Sequence, residues 1–250
     1  MIASLMMYTR PELADAHARY WALIRDALAE VGIDSPATLS NDVEEFSVWK
    51  NPELVLSQTC GMPYRLWLHD KVTLIGTPDY GLEGCTPGFY RSPIVVRKED
   101  KRGALADFAN ARFAYNVGFS QSGFASIFNT VSPMGFWFQD RVESGAHQAS
   151  ARMVAEGAAD IAALDAVTWD LIRRFDDVAD RLRVLCWTAP TPGLPYIAAA
   201  GVDQPATFRA VSKAIERLEK KDRAALRLKG FVAIPKADYL AIPNPPLSAI

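Results

Sequence analysis

The chain has 250 residues, half of them apolar and 22% charged, with 27 Lys and Arg against 29 Asp and Glu for a formal net charge of −2. That length buries a sizeable core, as one large domain or as two lobes, and the composition is that of an ordinary globular protein. Nucleic acid and anionic membrane are poor partners for such a chain, since both need a clustered basic footprint. The Lys- and Arg-rich stretch from Arg217 to Lys229 carries Glu219 and Asp222 and follows Glu216, a mix that reads as a solvated helix face.

Ile2 to Tyr8 reads as a buried strand, and Thr9-Arg10-Pro11-Glu12 as a capping box with Thr9 at the N-cap. Leu13, Tyr20, Ile24, Ala27 and Val31 then recur at helical spacing, predicting a helix that runs to Gly32. Apolar runs at Leu54-Val55-Leu56, Val72 to Gly76 and Ile94-Val95-Val96 predict three further strands. A second series follows: a strand at Arg112 to Asn116, a helix after Ser122, and a helix from about Gln148 to Glu156. Ile161 to Leu164 reads as a strand, Val167 to Arg174 as a helix, and Arg183 to Trp187 as a strand leading into a Pro-rich turn. A strand at Tyr196 to Ala199, a helix from about Thr207 to Leu218 and an irregular tail with Pro235, Pro243, Pro245 and Pro246 complete the chain.

Strand–helix alternation makes the fold class α/β, and the lack of polar alternation within the apolar runs predicts mostly parallel sheets covered by helices on both faces. Turn-rich junctions near 84–93 and 188–195 bracket a middle block. The expected organisation is a discontinuous first lobe, 1–93 and 188–250, with a second lobe, 94–187, inserted through two hinge crossovers. No run approaches the about 18 apolar residues of a membrane span, so direct membrane insertion is not expected. The segment from Met1 to Tyr8 is too short for a secretory apolar region, so no export signal is expected in the chain as written.

The segment richest in chemistry is Phe119-Ser120-Gln121-Ser122-Gly123. A strand that ends in Ser-x-Ser-Gly and opens a helix brings two hydroxyls, backbone N–H groups without helical partners and the positive helix end to one point, which suits an anion. Ordinary N-capping by serine is the alternative. Other polar and aromatic residues fall at the carboxyl ends of the proposed strands, where ligands collect in such sheets: Tyr8, Thr59 with nearby Tyr64, and Asp165. Tyr8, Tyr64 and Tyr90 each pair a flat apolar face with a hydroxyl, suited equally to enclosing a small polar ligand or to a half-buried core position. His147 opens a helix, where its ring is placed to donate to an anion or to serve structure alone. Asp165 is either an N-cap or an acceptor for a proton-bearing ligand oxygen or an ammonium group.

Catalysis finds little support. Gly118-Phe119-Ser120-Gln121-Ser122 fails the last position of a nucleophile elbow, and the order Ser120, His147, Asp165 is not that of the fold that uses one. His17, His69 and His147 are dispersed, no Cys pair has ligand spacing, and no phosphate-binding Gly-rich loop is present, so neither a metal nor a cofactor is expected. Cys60, Cys85 and Cys186 are too few for a disulfide framework, although one bridge between Cys60 and Cys85 is conceivable.

Five motifs in order carry a resemblance: Gln58-Thr59-Cys60-Gly61, Tyr90-Arg91-Ser92-x-Ile94-Val95-Val96, Ser120-Gln121-Ser122-Gly123, Ser144-Gly145-Ala146-His147-x-x-Ser150, and Gly157 to Asp165. Over roughly residues 1–200 the chain resembles the substrate-binding proteins of phosphate, phosphite and phosphonate ABC transporters, the phosphonate-binding group of type II periplasmic binding proteins. The resemblance implies two α/β lobes joined by two crossover strands that close on a small phosphorus oxyanion. It implies ligand contacts from Ser120, Gln121, Ser122, Gly123, His147 and Asp165 in the second lobe, and from Tyr8, Thr59, Tyr64 and Tyr90 in the first. It also implies an ABC permease as partner. Gln121 stands where a small hydroxyl residue is common, which removes one compact donor. Two rival expectations are an enzyme on the same scaffold, resembling the pyrimidine-precursor synthases of thiamin biosynthesis, and a cytoplasmic ligand-sensing module.

Overall fold

The structure, a computed structural model that describes residues 1–249, divides the chain into two units. Unit 1 comprises Met1–Phe89 and Pro192–Ala241, and unit 2 comprises Tyr90–Thr191 with the chain from Ile242 on. In chain order, unit 1 supplies β1 (Ile2–Ser4), β2 (Leu54–Gln58) and β3 (Val72–Asp79), and the short β4 (Phe89–Tyr90) marks its boundary. Unit 2 supplies β5 (Pro93–Arg97), β6 (Phe113–Tyr115), β7 (Arg141–Glu143), β8 (Ile161–Ala163) and β9 (Leu182–Trp187). The short β10 (Thr191–Pro192) pairs with β4, and β11 (Tyr196–Ala199) and β12 (Gly230–Val232) return to unit 1. The main helices are α1 (Ala14–Ala29), α2 (Ser126–Val131), α3 (His147–Ala155), α4 (Ala166–Phe175) and α5 (Gln204–Arg217).

Each unit builds one five-stranded sheet, in the order β1-β2-β11-β3-β12 in unit 1 and β7-β6-β8-β5-β9 in unit 2. Both sheets are mixed. In unit 2, β6 lies parallel to β7 and β8, whereas β5 runs antiparallel to β8 and β9. In unit 1, β1 and β2 are parallel, and β11 runs antiparallel to both β2 and β3. In unit 1, β12 also runs antiparallel to β3. A reversed strand stands at the corresponding place in the chain path of each unit: β5 is the first full strand after the chain enters unit 2, and β11 the first after it returns to unit 1. This corrects the mostly parallel pairing expected within each sheet. Full burial explains why the run gave no warning. Ile94 and Val96 of β5 pack into one core with Phe113, Phe124 and Phe138, while Val95 packs into the other with Ala114, Ala162 and Trp169. A strand covered on both faces is apolar throughout whichever way it points.

The N-terminal segment departs from expectation over Leu5 to Leu13. The strand stops at Ser4, because Asn41 Oδ1 accepts from Ser4 Oγ at 3.0 Å and from the Leu5 amide at 2.8 Å. Met6–Tyr8 and Pro11–Leu13 are single 3-10 turns, and the helix proper ends at Ala29. The expected capping box does not form: Thr9 Oγ1 donates back to Met6 O at 3.0 Å, and Glu12 pairs with Arg10 at 3.2 Å. The C-terminal tail belongs with unit 2 rather than with 1–93. Asn129 Nδ2 donates to Pro243 O at 3.0 Å, and Trp137 Nε1 donates to Ala249 O at 3.3 Å. The chain therefore passes between the units three times, at 89–90, 191–192 and 241–242.

Candidate functional site

The candidate residues of unit 2 converge because three parallel strands end side by side. Strands β7, β6 and β8 lead into His147, Ser120 and Asp165 respectively, each at or beside the start of a helix. Hydrogen bonding continues past the ends of β6 and β7: the Ser144 amide donates to Tyr115 O at 2.8 Å, and the Gly145 amide to Asn116 O at 2.9 Å. Gly145 turns with φ +83°, a left-handed conformation natural to glycine. Ser144 Oγ then fixes the turn by donating to Ala146 O or Tyr115 O, both at 3.0 Å, and lies 2.7 Å from Ser150 Oγ. This clasp delivers His147 as the first residue of α3.

Opposite it, Ser120 is the N-cap of a π-type turn, Gln121–Ala125, which runs on into α2. The Ala125 amide reaches back to Ser120 O at 2.9 Å, and Ser120 Oγ accepts from the Gly123 amide at 3.0 Å. Such wide turns open a helix end and recur at functional sites. Phe124 anchors the turn in the core, its ring 5.1 Å from that of Tyr115. Ser122 Oγ lies 3.0 Å from His147 Nε2 and 3.5 Å from Ser120 Oγ, so two hydroxyls and an imidazole form one short chain at the helix start. Burial lowers the His147 pKa to about 4, partly offset by the Ala163 backbone, so the ring is neutral at pH 7. The donors gathered here are all neutral: hydroxyls, an imidazole and the amides at the start of a helix.

Gly123 is required by close approach rather than by its φ. A Cβ there would stand 2.0 Å from Asn116 Oδ1 and 2.9 Å from His147 Cε1. Asn116 is thus a site residue that sequence reasoning passed over, and its buried Oδ1 has no hydrogen-bond partner. Asp165 caps α4: its Oδ1 accepts from the Val167 and Thr168 amides at 2.8 and 2.9 Å. Tyr90 is buried and falls within unit 2 rather than in the first lobe.

The candidates of unit 1 are individually embedded. Tyr8 closes the Met6–Tyr8 turn, with its ring edge-on to Tyr80 at 5.3 Å. Thr59 is fully buried, and its amide donates to Pro195 O at 3.0 Å. Tyr64 packs among Trp49, Leu54, Leu68 and Tyr239, where burial pushes its phenol up to about 12. That is the core position, one of the two alternatives open to it from the sequence. Tyr80, absent from the sequence-based set, stands with Tyr8 and lies 3.4 Å from Gln58 Nε2. Among the described residues no group of three or more His, Cys, Asp or Glu is placed to hold a metal ion, and no helix is long and apolar enough to cross a membrane.

The family model for the periplasmic phosphonate substrate-binding protein of ABC transporters matches residues 57–239. The chain belongs to that family. Among solved structures, this phosphonate-binding-family protein is similar to PhnD1 from Prochlorococcus marinus in complex with methylphosphonate, at 16% identity and a TM-score of 0.70 over 95% of this chain and 93% of that one. XAC2383 from Xanthomonas citri bound to ATP gives 16% identity and a TM-score of 0.69, covering 95% and 91% of the two chains. A binding-protein component of an ABC phosphonate transporter from Pseudomonas aeruginosa, PA3383, gives 16% and 0.67, covering 96% and 82%. At that identity the likeness establishes the shared type II periplasmic-binding-protein fold. Curated sequences return no match. The family assignment makes the protein a solute-binding component for ABC-type uptake.

Proposed function

We propose that this protein captures a small phosphorus oxyanion, such as a phosphonate, phosphite or phosphate, without transforming it, and presents it to an ABC permease. The observation that carries the reading is the Ser120–Ser122–His147 chain at the start of the Gln121–Ala125 turn. Neutral, fixed donors at a helix start bind an anion without needing a full counter-charge. Ser120, Gln121, Ser122, Gly123 and His147 are the proposed anion contacts, with Asp165 receiving a proton-bearing group of the ligand. Tyr8, Thr59 and Tyr90 are further proposed contacts, and Tyr64, whose ring packs in the core, is proposed to support the fold instead.

A neutral His147 also fits binding better than general-base catalysis, because a ring whose pKa is lowered to about 4 is a weak base at pH 7. Thermal unfolding with a panel of phosphate, phosphite, methylphosphonate and aminoethylphosphonate tests the reading. ATP joins the panel because the XAC2383 structure holds it. A ligand at 100 times its Kd stabilises the folded state by about 2.7 kcal/mol, or roughly 5–10 °C in Tm for a chain of this size. Ser122→Ala is expected to cut that shift while leaving the ligand-free Tm unchanged. No shift with any phosphorus oxyanion at millimolar concentration overturns the proposal.

A further inference from the structure

Far from the Ser120 turn in sequence, and wholly inside unit 1, a cavity of about 530 Å³ opens along one face of α1. Its wall includes Pro11, Ala14, His17, Ala18 and Trp21, with Leu39 facing them from the 37–41 segment. Residues 14, 17 or 18, and 21 recur at the spacing of a single helix face. The two alanines keep that face low, and the volume is within the range that holds a small organic molecule.

Two polar atoms at this wall lack partners, and they are complementary. Trp21 is buried, and its Nε1–H, which can only donate, has no acceptor. His17 Nε2 lies 3.3 Å from Tyr8 O. A carbonyl only accepts, so Nε2 carries the proton and Nδ1 carries the lone pair. That Nδ1 is buried and has no donor. Burial lowers the His17 pKa, which keeps the ring in this neutral form. His17 and Trp21 are four residues apart on one helix, so their side chains are neighbours. One unsatisfied acceptor and one unsatisfied donor therefore flank the same space, mainly apolar although Thr9, Arg10, Thr38 and Asn41 also line it, the pattern that a single hydroxyl satisfies on both sides.

The geometry points to a second small-molecule site in unit 1, which takes a flat apolar molecule bearing one neutral hydroxyl, a phenol or aromatic alcohol. Its O–H donates to His17 Nδ1 and its oxygen accepts from Trp21 Nε1–H, while the ring lies over Ala14 and Ala18. Both nitrogens are buried, so the contact forms with a side-chain adjustment at His17, the partly exposed member of the pair. The site takes a neutral ligand, where the proposed anion contacts take a charged one.

The test uses the full chain and 19F NMR titration with 4-fluorophenol, with fluorobenzene as the control of nearly equal shape that lacks the hydroxyl. The phenol is expected to bind about tenfold tighter than fluorobenzene, the difference one well-made hydrogen bond supplies. Trp21→Phe removes the donor and is expected to erase that preference. Ala18→Leu fills the cavity from its exposed side without touching the core, and is expected to block both compounds while leaving the thermal response to phosphorus oxyanions intact. Equal affinity for the two compounds, binding that survives Ala18→Leu, or no binding of the phenol at millimolar concentration overturns the assignment. Loss of the oxyanion response alone bears on the proposed function and leaves this site standing.

Discussion

The two units share one architecture and use it differently. Each has five strands, with the first full strand after a chain crossing inserted against its neighbours. In unit 2 the polar residues at the strand ends are bonded to each other: Ser120 to Ser122, Ser122 to His147, Ser144 to Ser150. In unit 1 the corresponding residues are bonded to the scaffold. Thr59 holds Pro195 through its backbone, Tyr64 is core, and Tyr8 leans on Tyr80. Linking polar side chains to one another fixes donors in space before a ligand arrives, which reduces the ordering cost of binding. The same sheet edge thus carries polar side chains linked to one another in one unit, and residues packed into the scaffold in the other.

The sharpest way to break the contrast is Gly123→Ala. Its Cβ collides with Asn116 Oδ1 and crowds His147 Cε1, so the turn and the imidazole move apart. Affinity for the oxyanion is expected to fall by at least about 100-fold, with a stability loss of about 1–3 kcal/mol from overpacking. Calorimetric titration and urea unfolding read the two effects, and Asn116→Ala in the same chain is expected to restore part of both. An affinity unchanged by Gly123→Ala means the donors are not set by this packing.

Next in size is the pH response of unit 2. The His147 pKa is lowered from 6.5 to about 4 in the folded chain. Between those values the unfolded chain binds a proton that the folded chain does not. Stability therefore falls as pH drops from about 6.5 to about 4, and this group adds no slope above that window. The full shift corresponds to roughly 3 kcal/mol at most, discounted for the ring's partial exposure. His147→Gln should flatten the window in urea unfolding at a series of pH values. An unaltered slope would mean that other groups produce it. The ion pair between Asp100 and Arg102 is separable, because Asp100 is held at about 2 and its contribution is lost only as pH falls below about 4.

The smallest effect belongs to unit 1. Tyr64 Oη is buried without a hydrogen-bond partner, so Tyr64→Phe removes an unsatisfied group and keeps the ring packing with Tyr239. Stability is expected to stay level or rise by about 1 kcal/mol, with oxyanion affinity unchanged. A tenfold loss of affinity would return Tyr64 to the ligand contacts.

Much of this was readable from local sequence signals. The Ser120 N-cap, the helix opening at His147 and the Asp165 cap all sit where short-range signals place them. What escaped depends on distant residues. The first strand ends at Ser4 because Asn41 takes its hydrogen bonds, and no residue near Ser4 announces that. The Thr9–Glu12 pattern has the letters of a capping box, but Thr9 turns back to Met6 and Arg10 claims Glu12. Asn116 matters through its fit against Gly123, a contact formed only once the wide turn folds back on the strand end. The direction of β5 and β11 is invisible in runs that are apolar on both faces.

The third chain crossing limits how the protein can be taken apart. A fragment spanning 90–191 contains every strand of the unit 2 sheet and its proposed anion contacts, yet it leaves Trp137 Nε1 and Asn129 Nδ2 without the carbonyls that the tail provides. Dissection of this fold into independently folding pieces therefore has to carry the last residues along as a separate strand of chain, or graft them onto the end of the fragment.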